Sequence, residues 1–86
     1  MRGRELVGRN LRRIRVAKGI AQERLAIDAA VDRSYLGGVE RGEENPTVDV
    51  LDRLAATLAV PVAELFDPDV QETSIGLRRG RKPLRS

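Results

Sequence analysis

The sequence predicts an all-α protein, and three observations lead to that prediction. Several segments carry apolar residues at the three- and four-residue spacing of an amphipathic helix. Residues that cap or stop helices separate these segments. The 86 residues are 41% hydrophobic but only 2% aromatic, so we expect one small aliphatic core. Short packed helices build such a core.

The first two helices are predicted before residue 31. Gly19, just past Lys18, is suited to end the first helix, whose apolar face consists of Val7, Leu11 and Ile14. A second, short helix is predicted over Gln22 to Ala30, with Glu23 in its first turn, where a negative charge suits the helix dipole.

The third helix has the clearest local signal. Asp32 can cap its N-terminus, and Val31 and Leu36 can form a hydrophobic staple around that cap. Gly42 ends the helix, which we predict to span Asp32 to Arg41. Few of its side chains are apolar, so most of them must face outward.

Two further helices complete the predicted domain. Thr47 caps a fourth helix, whose apolar face is Leu51, Leu54, Ala55 and Leu58. After Pro61, a fifth short helix is predicted from Val62 to Phe66. Residues 1–68 are the predicted domain, and residues 69–86 are predicted to form a flexible basic tail because they show no sustained apolar period.

Charge and composition exclude most enzyme chemistry. The chain has neither Cys nor His, so we predict no metal site, no cofactor and no enzymatic activity. Its net charge is +3, yet both ends are basic and residues 19–68 are acidic, and Arg far outnumbers Lys. Guanidinium groups are well suited to bind phosphates and guanine edges. The alternative is that these arginines are ordinary solvent-exposed surface residues. No apolar run approaches a membrane helix, so we expect a soluble cytoplasmic protein.

Four motifs in register carry a family resemblance. They are R-x-x-x-G-I-x-Q-E-x-L-A from Arg15, V-x-x-S-Y-L from Val31, V-E-R-G-x-x-x-P-T from Val39 and L-x-x-L-A-x-x-L-x-V from Leu51. Over about residues 6 to 66 the chain resembles the Cro and phage-repressor (Xre-like) helix-turn-helix family. The resemblance implies a five-helix lambda-repressor-like DNA-binding domain, in which Gln22 to Ala30 is the positioning helix and Asp32 to Arg41 the recognition helix.

The implied base contacts lie at the start of the recognition helix. Arg33 is expected to contact a guanine through O6 and N7, with a phosphate contact or a solvent-exposed side chain as the alternatives. Ser34 is expected to contact a base edge or a phosphate. The phosphate contacts are assigned to Gln22, Tyr35, Arg41 and Thr47. For Tyr35 a purely structural role stays open, and Arg41 also suits the helix C-terminus without DNA.

The resemblance also implies an internal ion pair between Arg15 on the first helix and Glu40 on the third. Gly37 and Gly38 depart from the family pattern, because position 38 often carries a polar residue that contacts a base. Glu43 and Glu44 also depart from it, since basic residues often contact phosphate there. We expect this loop to tilt away from the DNA backbone, or the N-terminus of the Thr47 helix to supply that contact.

The basic ends and the last helix complete the set of candidate contacts. Basic arms are predicted to follow the minor groove or nearby phosphates, with a solvated tail as the alternative; they comprise Arg2, Arg4, Arg78, Arg79, Arg81, Lys82 and Arg85. The candidate dimer interface is Val60, Val62, Leu65 and Phe66, whose alternative is burial in the monomer core.

These observations predict a sequence-specific regulator of transcription that binds double-stranded DNA as a homodimer on a palindromic operator, as a repressor or a controller. The antitoxin of a toxin-antitoxin pair, or a protein-interaction module on the same fold, stays open as an alternative. The expected partners are double-stranded DNA, a second copy of the chain and, in the alternatives, a toxin or RNA polymerase.

Overall fold

The computed structural model describes residues 2–70, and every regular element in that range is a helix, as the sequence predicts. Four are α-helices and one is a 3-10 helix: α1 Gly3–Ala17, α2 Gln22–Ala29, α3 Arg33–Glu40, α4 Val48–Thr57, and the 3-10 helix Val62–Phe66.

The predicted fifth helix is the one element whose type differs. Val62–Phe66 forms a 3-10 helix, in which the N–H of Glu64 donates to the carbonyl of Pro61 at 3.0 Å. A segment of five residues closes few i to i−4 bonds, and short segments therefore adopt the tighter 3-10 geometry. The domain has four α-helices rather than five.

Two predicted caps are confirmed, and they fix where α3 and α4 begin. A side-chain oxygen of Asp32 accepts a hydrogen bond from the N–H of Tyr35 at 3.0 Å. The hydroxyl oxygen of Thr47 accepts one from the N–H of Val50 at 3.1 Å. Each cap satisfies a backbone donor that the helix itself leaves without a partner.

The turns after α1 and α3 use glycine, whereas the turn after α2 does not. Gly19 and Gly42 have φ angles of 71° and 77°, which only glycine adopts without strain. Ala30 has φ 59°, a left-handed conformation that costs a non-glycine residue about 1 to 2 kcal/mol. The guanidinium of Arg53 in α4 offsets part of this cost, because its Nε donates to the carbonyl of Ala29 at 3.1 Å.

One aliphatic core joins all five elements, and α1 packs closely against α3. The buried cluster is Val7, Leu11, Ile14, Leu25, Ala26, Ala29, Leu36, Val39, Leu51, Leu54, Ala55, Leu58 and Leu65. Gly8 permits the close approach: a Cβ there would lie 2.7 Å from the carbonyl oxygen of Glu40 and closer still to that of Val39. The backbone of α3 therefore rests directly on α1.

Asn10 joins α1 to the C-terminal segment. Its fully buried amide nitrogen donates to the carbonyls of Leu65 at 3.1 Å and Asp67 at 3.0 Å, and also to Leu6 in its own helix. Val70, assigned by the sequence to the tail, is buried, so packed structure continues two residues past the predicted boundary at residue 68.

The start of α1 separates the two N-terminal arginines, because Arg4 lies within the helix and Arg2 caps it. The N–H of Arg2, the N-cap residue, donates to Glu5 Oε1 at 3.0 Å, and this bond lowers the pKa of the Glu5 carboxyl. Arg4 lies inside α1 and is half-buried. The prediction that both arginines precede the first helix is therefore wrong for Arg4, whereas Arg2 directly precedes the helix as its N-cap; contact of either residue with DNA stays a prediction.

Across residues 2–70, no helix combines the length and the apolar character that crossing a membrane requires.

Candidate nucleic-acid interface

Helix α3, the predicted recognition helix, has a buried side and an open side. Leu36 and Val39 are 0% and 1% exposed and belong to the core. Ser34 and Arg41 project on the other side and are exposed. Successive residues are rotated by about 100° around a helix axis, so a helix of eight residues has side chains on both its core side and its open side. The open side is the surface available to another molecule.

A buried ion pair fixes α3 against α1, in the arrangement that the resemblance implies. Arg15 Nε lies 2.6 Å from Glu40 Oε2, and Arg15 Nη2 lies 3.0 Å from Oε1. The two side chains are 12% and 3% exposed. Arg15 Nη1 also donates to the carbonyl of Ile20 at 2.8 Å. The pair thus joins α1, the α1–α2 turn and α3.

Gln22 belongs to the same network. Its Nε2 donates to Glu40 Oε1 at 3.0 Å, so the amide is oriented from within the protein. Gln22 is also the first residue of α2, whose N-cap Ala21 provides no side-chain cap for the backbone N–H groups of the first turn. The amide side chain and the positive end of the α2 dipole therefore occur together, as at many phosphate-binding positions.

Four of the predicted contact residues surround a shallow depression of about 280 Å³ between α2 and α3, which is lined by Gln22, Arg33, Ser34, Gly37 and Arg41. Gly37 forms part of its lining for a steric reason. A Cβ at Gly37 would lie 3.1 Å from Arg41 Nη1 and 3.6 Å from Gln22 Oε1. The missing side chain therefore leaves room between a guanidinium, which donates hydrogen bonds, and an amide oxygen, which accepts them.

The two arginines of this depression differ in their surroundings. Arg33 is exposed and has no ion pair within residues 2–70. Arg41 Nε lies 3.1 Å from Glu43 Oε1, and both side chains are more than half exposed. An exposed pair of this kind is weak, so Glu43 partly neutralises Arg41 without fixing it.

Tyr35 and Thr47 lie outside the depression. Tyr35 is half-buried and packs against the core, which supports the structural role left open for its ring. Thr47 is exposed at the N-terminus of α4 and uses its hydroxyl oxygen as the helix cap. Residues 47–49 are all exposed, so the N-terminus of α4 faces solvent.

Sequence reasoning missed the position of Glu44. This side chain lies over Gly38, on the open side of α3, instead of extending away from the helix. Gly42 was the available signal, because a left-handed residue after a helix commonly returns the chain across the last helical turn.

The candidate dimer residues differ in how deeply they are buried. Leu65 is 0% exposed and lies in the core, so its assignment to an interface is wrong; the 3-10 helix turns this side chain toward α1 and α4. Val60 and Val62 are partly buried against the same core. Phe66 is 45% exposed and remains available for a partner.

The C-terminal part of the predicted basic arms falls outside the described residues. This part consists of Arg78, Arg79, Arg81, Lys82 and Arg85.

Comparisons with known proteins agree with this geometry. The family model of the helix-turn-helix domain matches residues 6–66. The HTH-type transcriptional regulator y4dJ of Sinorhizobium fredii is 43% identical over 75 residues, which are 87% of this chain and 96% of the relative.

Solved structures show the same fold. The restriction-modification controller protein C.AhdI from Aeromonas hydrophila is 44% identical with a TM-score of 0.71, covering 73% of this chain and 96% of that one. The controller protein C.Esp1396I, as a tetramer in complex with its natural 35 base-pair operator, is 31% identical with a TM-score of 0.70, covering 78% of this chain and 88% of that one. With its motifs, its α2–turn–α3 geometry and these matches in agreement, the chain belongs to the helix-turn-helix domain family.

Proposed function

We propose that the chain is a sequence-specific transcriptional regulator, of the repressor or controller type, that binds double-stranded DNA as a dimer on a two-fold operator. The observation that carries this proposal is the depression formed by Gln22, Arg33, Ser34 and Arg41 on the open side of α3. Its polar groups lie beside a helix held rigidly from behind by a buried ion pair. A firmly placed helix of this size fits the major groove.

Arg33 is the residue assigned to a base. It lies in the first turn of α3, the part of a recognition helix that approaches base edges, and no carboxylate within residues 2–70 neutralises it. Its two parallel donors match O6 and N7 of guanine. Ser34, exposed beside it, is suited to a neighbouring base or phosphate.

Phosphate contacts are assigned to groups that surround this first turn. The Gln22 amide has one N–H donor directed to Glu40 and a second one available. Arg41 can exchange its weak pair with Glu43 for a phosphate. Thr47 and the N-terminus of α4 supply a further set of donors, and the Tyr35 hydroxyl supplies another.

Dimerisation is assigned to the surface around the 3-10 helix. Phe66 is the exposed apolar residue there, and Val60 and Val62 are partly exposed beside it. One α3 contacts only a few base pairs, so two copies are needed, with half-sites about 34 to 36 Å apart. The operator-bound relative C.Esp1396I is also an oligomer, a tetramer.

The basic residues beyond position 77 are assigned to phosphates by their charge alone. Affinity for DNA falls as the salt concentration rises. Deleting residues 77–86 should make the plot of log affinity against log salt concentration less steep, by about 0.9 for every phosphate that the tail neutralises. An unchanged slope would remove the tail from the interface.

Selection of bound duplexes from a random pool tests the function. We expect the chain to enrich a palindrome containing a guanine at one fixed position of each half-site. Arg33→Ala should then lose about 1 to 3 kcal/mol of binding free energy and its guanine preference. Arg33→Lys keeps the charge but loses the paired donors, so it separates a base contact from a phosphate contact.

Arg24→Ala is the matched control for these variants. Arg24 is an exposed arginine on α2 that pairs with Asp28 and lies outside the lining of the depression. Its removal should leave the selected sequence unchanged. Equal binding of random and selected duplexes at low and high salt would contradict the proposal. Copurification with a tightly bound protein instead of DNA would favour an antitoxin or an interaction module.

A further inference from the structure

Glu44 covers the middle of the recognition helix. A Cβ placed on Gly38 would lie 2.7 Å from Glu44 Cγ and 3.1 Å from Glu44 Oε2. Gly38 is consequently buried, although its Cβ direction points to the open side of α3. The carboxylate of Glu44 therefore occupies the space that a side chain at position 38 would fill.

The end of α3 explains how Glu44 reaches this position. Gly42 is left-handed, and the N–H of Glu43 donates back to the carbonyl of Gly38 at 2.8 Å. The N–H of Gly42 donates to the carbonyl of Val39 at 3.1 Å. These two bonds form a Schellman motif, which fixes the backbone just before Glu44 against the last turn of the helix.

The carboxylate lies on the same face as a predicted DNA contact. Ser34 and Gly38 are four residues apart, so they lie one above the other on the helix surface. Within residues 2–70, Glu44 makes no hydrogen bond or ion pair, whereas its neighbour Glu43 pairs with Arg41. An acceptor group without a donor thus covers Gly38, one helical turn from Ser34 on the open side.

Resting on the function proposed above, we propose that Glu44 determines sequence specificity by replacing the side chain missing at Gly38. Its carboxylate accepts a hydrogen bond from the N4 amino group of a cytosine in the major groove. A carboxylate only accepts hydrogen bonds, and cytosine is the one base whose major-groove edge carries a donor and no acceptor. Thymine O4 and guanine O6 repel the carboxylate. Adenine is disfavoured because its N7, an acceptor like the carboxylate, lies beside its amino group.

The test compares selected duplexes for the wild-type chain, Glu44→Gln and Glu43→Gln. The wild type should select a cytosine beside the base contacted by Ser34, with an affinity about tenfold above that for a thymine. Glu44→Gln can donate as well as accept, so it should lose this discrimination at that one position. Glu43→Gln removes an equal charge from the adjacent residue, and it should keep every base preference while binding all duplexes more tightly.

Gly38→Ala provides a second variant that leaves Glu44 chemically intact. Its Cβ would overlap Glu44 Cγ, and that half-buried, flexible side chain must move aside. Gly38→Ala should therefore lose the cytosine preference just as Glu44→Gln does. Circular dichroism of both variants establishes that they are folded, which we expect because Glu44 has no polar partner within the described part of the chain.

Two results would overturn the role of Glu44 and leave the proposed regulator function intact. One is a Glu44→Gln variant that selects the same cytosine. The other is a Glu44→Gln variant that binds every duplex more tightly without altered base preference. The second result would mean that Glu44 only repels phosphates. A wild-type chain that enriches no duplex at all would overturn the proposed regulator function together with this role.

Discussion

Replacing Glu40 by alanine should remove a large part of the folding free energy. Glu40 accepts hydrogen bonds from Arg15 at 2.6 and 3.0 Å and from Gln22 at 3.0 Å, and its side chain is 3% exposed. Without it, the guanidinium of Arg15, itself 12% exposed, stays buried without a counter-charge. Breaking such a pair from one side costs about 3 to 5 kcal/mol.

That loss is large for a domain of this size. At about 0.05 to 0.15 kcal/mol per residue, roughly 70 packed residues have a total stability of about 4 to 10 kcal/mol. Each kcal/mol shifts the melting midpoint of a small domain by about 4 to 8 °C, so we expect Glu40→Ala to melt about 12 to 40 °C lower. Sequence preference should persist below that midpoint, because Arg33 and Ser34 lie on the opposite, open side of α3.

Circular dichroism melting beside DNA titration measures both effects. Glu43→Ala is the matched control, because its pair with Arg41 is exposed and should be worth at most about 1 kcal/mol. Replacing Arg15 and Glu40 together by Met should recover much of the stability removed by Glu40→Ala, since the double variant leaves no buried charge. An unchanged melting midpoint in Glu40→Ala, or a double variant less stable than Glu40→Ala, would refute the reasoning.

Three further predictions follow from local geometry. Gly8→Ala should destabilise the domain by about 1 to 3 kcal/mol in urea unfolding, because its Cβ would lie 2.7 Å from the backbone oxygen of Glu40; a more stable variant would contradict this. Phe66→Asp should convert a dimer into a monomer in sedimentation, whereas an unchanged mass would place the interface elsewhere. The hydrogen bond from the Arg2 N–H lowers the pKa of the Glu5 carboxyl. The contribution of this bond to folding stability is therefore complete above the ordinary pKa of a glutamate and is lost as the pH falls through the lowered pKa. An NMR titration that finds Glu5 at its ordinary pKa would refute this.

The sequence allowed prediction of the helices wherever the signal was local. Asp32 and Thr47 act within three residues of themselves, and the helices begin directly after them. The core residues of α1 and α4 follow from spacing alone. The 3-10 geometry at Val62–Phe66 was not predicted, because the apolar pattern of five residues fits either helix type.

Contacts that join distant segments could not be predicted from the residues alone. Asn10 donates to carbonyls 55 and 57 residues further along the chain, and Arg53 donates to one 24 residues before it. Backbone carbonyls carry no residue-specific signal, so nothing in the sequence marks them as partners. The Arg15–Glu40 pair, 25 residues apart, came from the family resemblance.

The half-buried ring of Tyr35 on α3 has a practical consequence. It is the single tyrosine in a chain without tryptophan, so it is the main intrinsic fluorophore of the protein. Its emission originates at the edge of the surface assigned to the double helix. Quenching of that signal on mixing with an oligonucleotide would therefore follow complex formation in real time, without an attached dye.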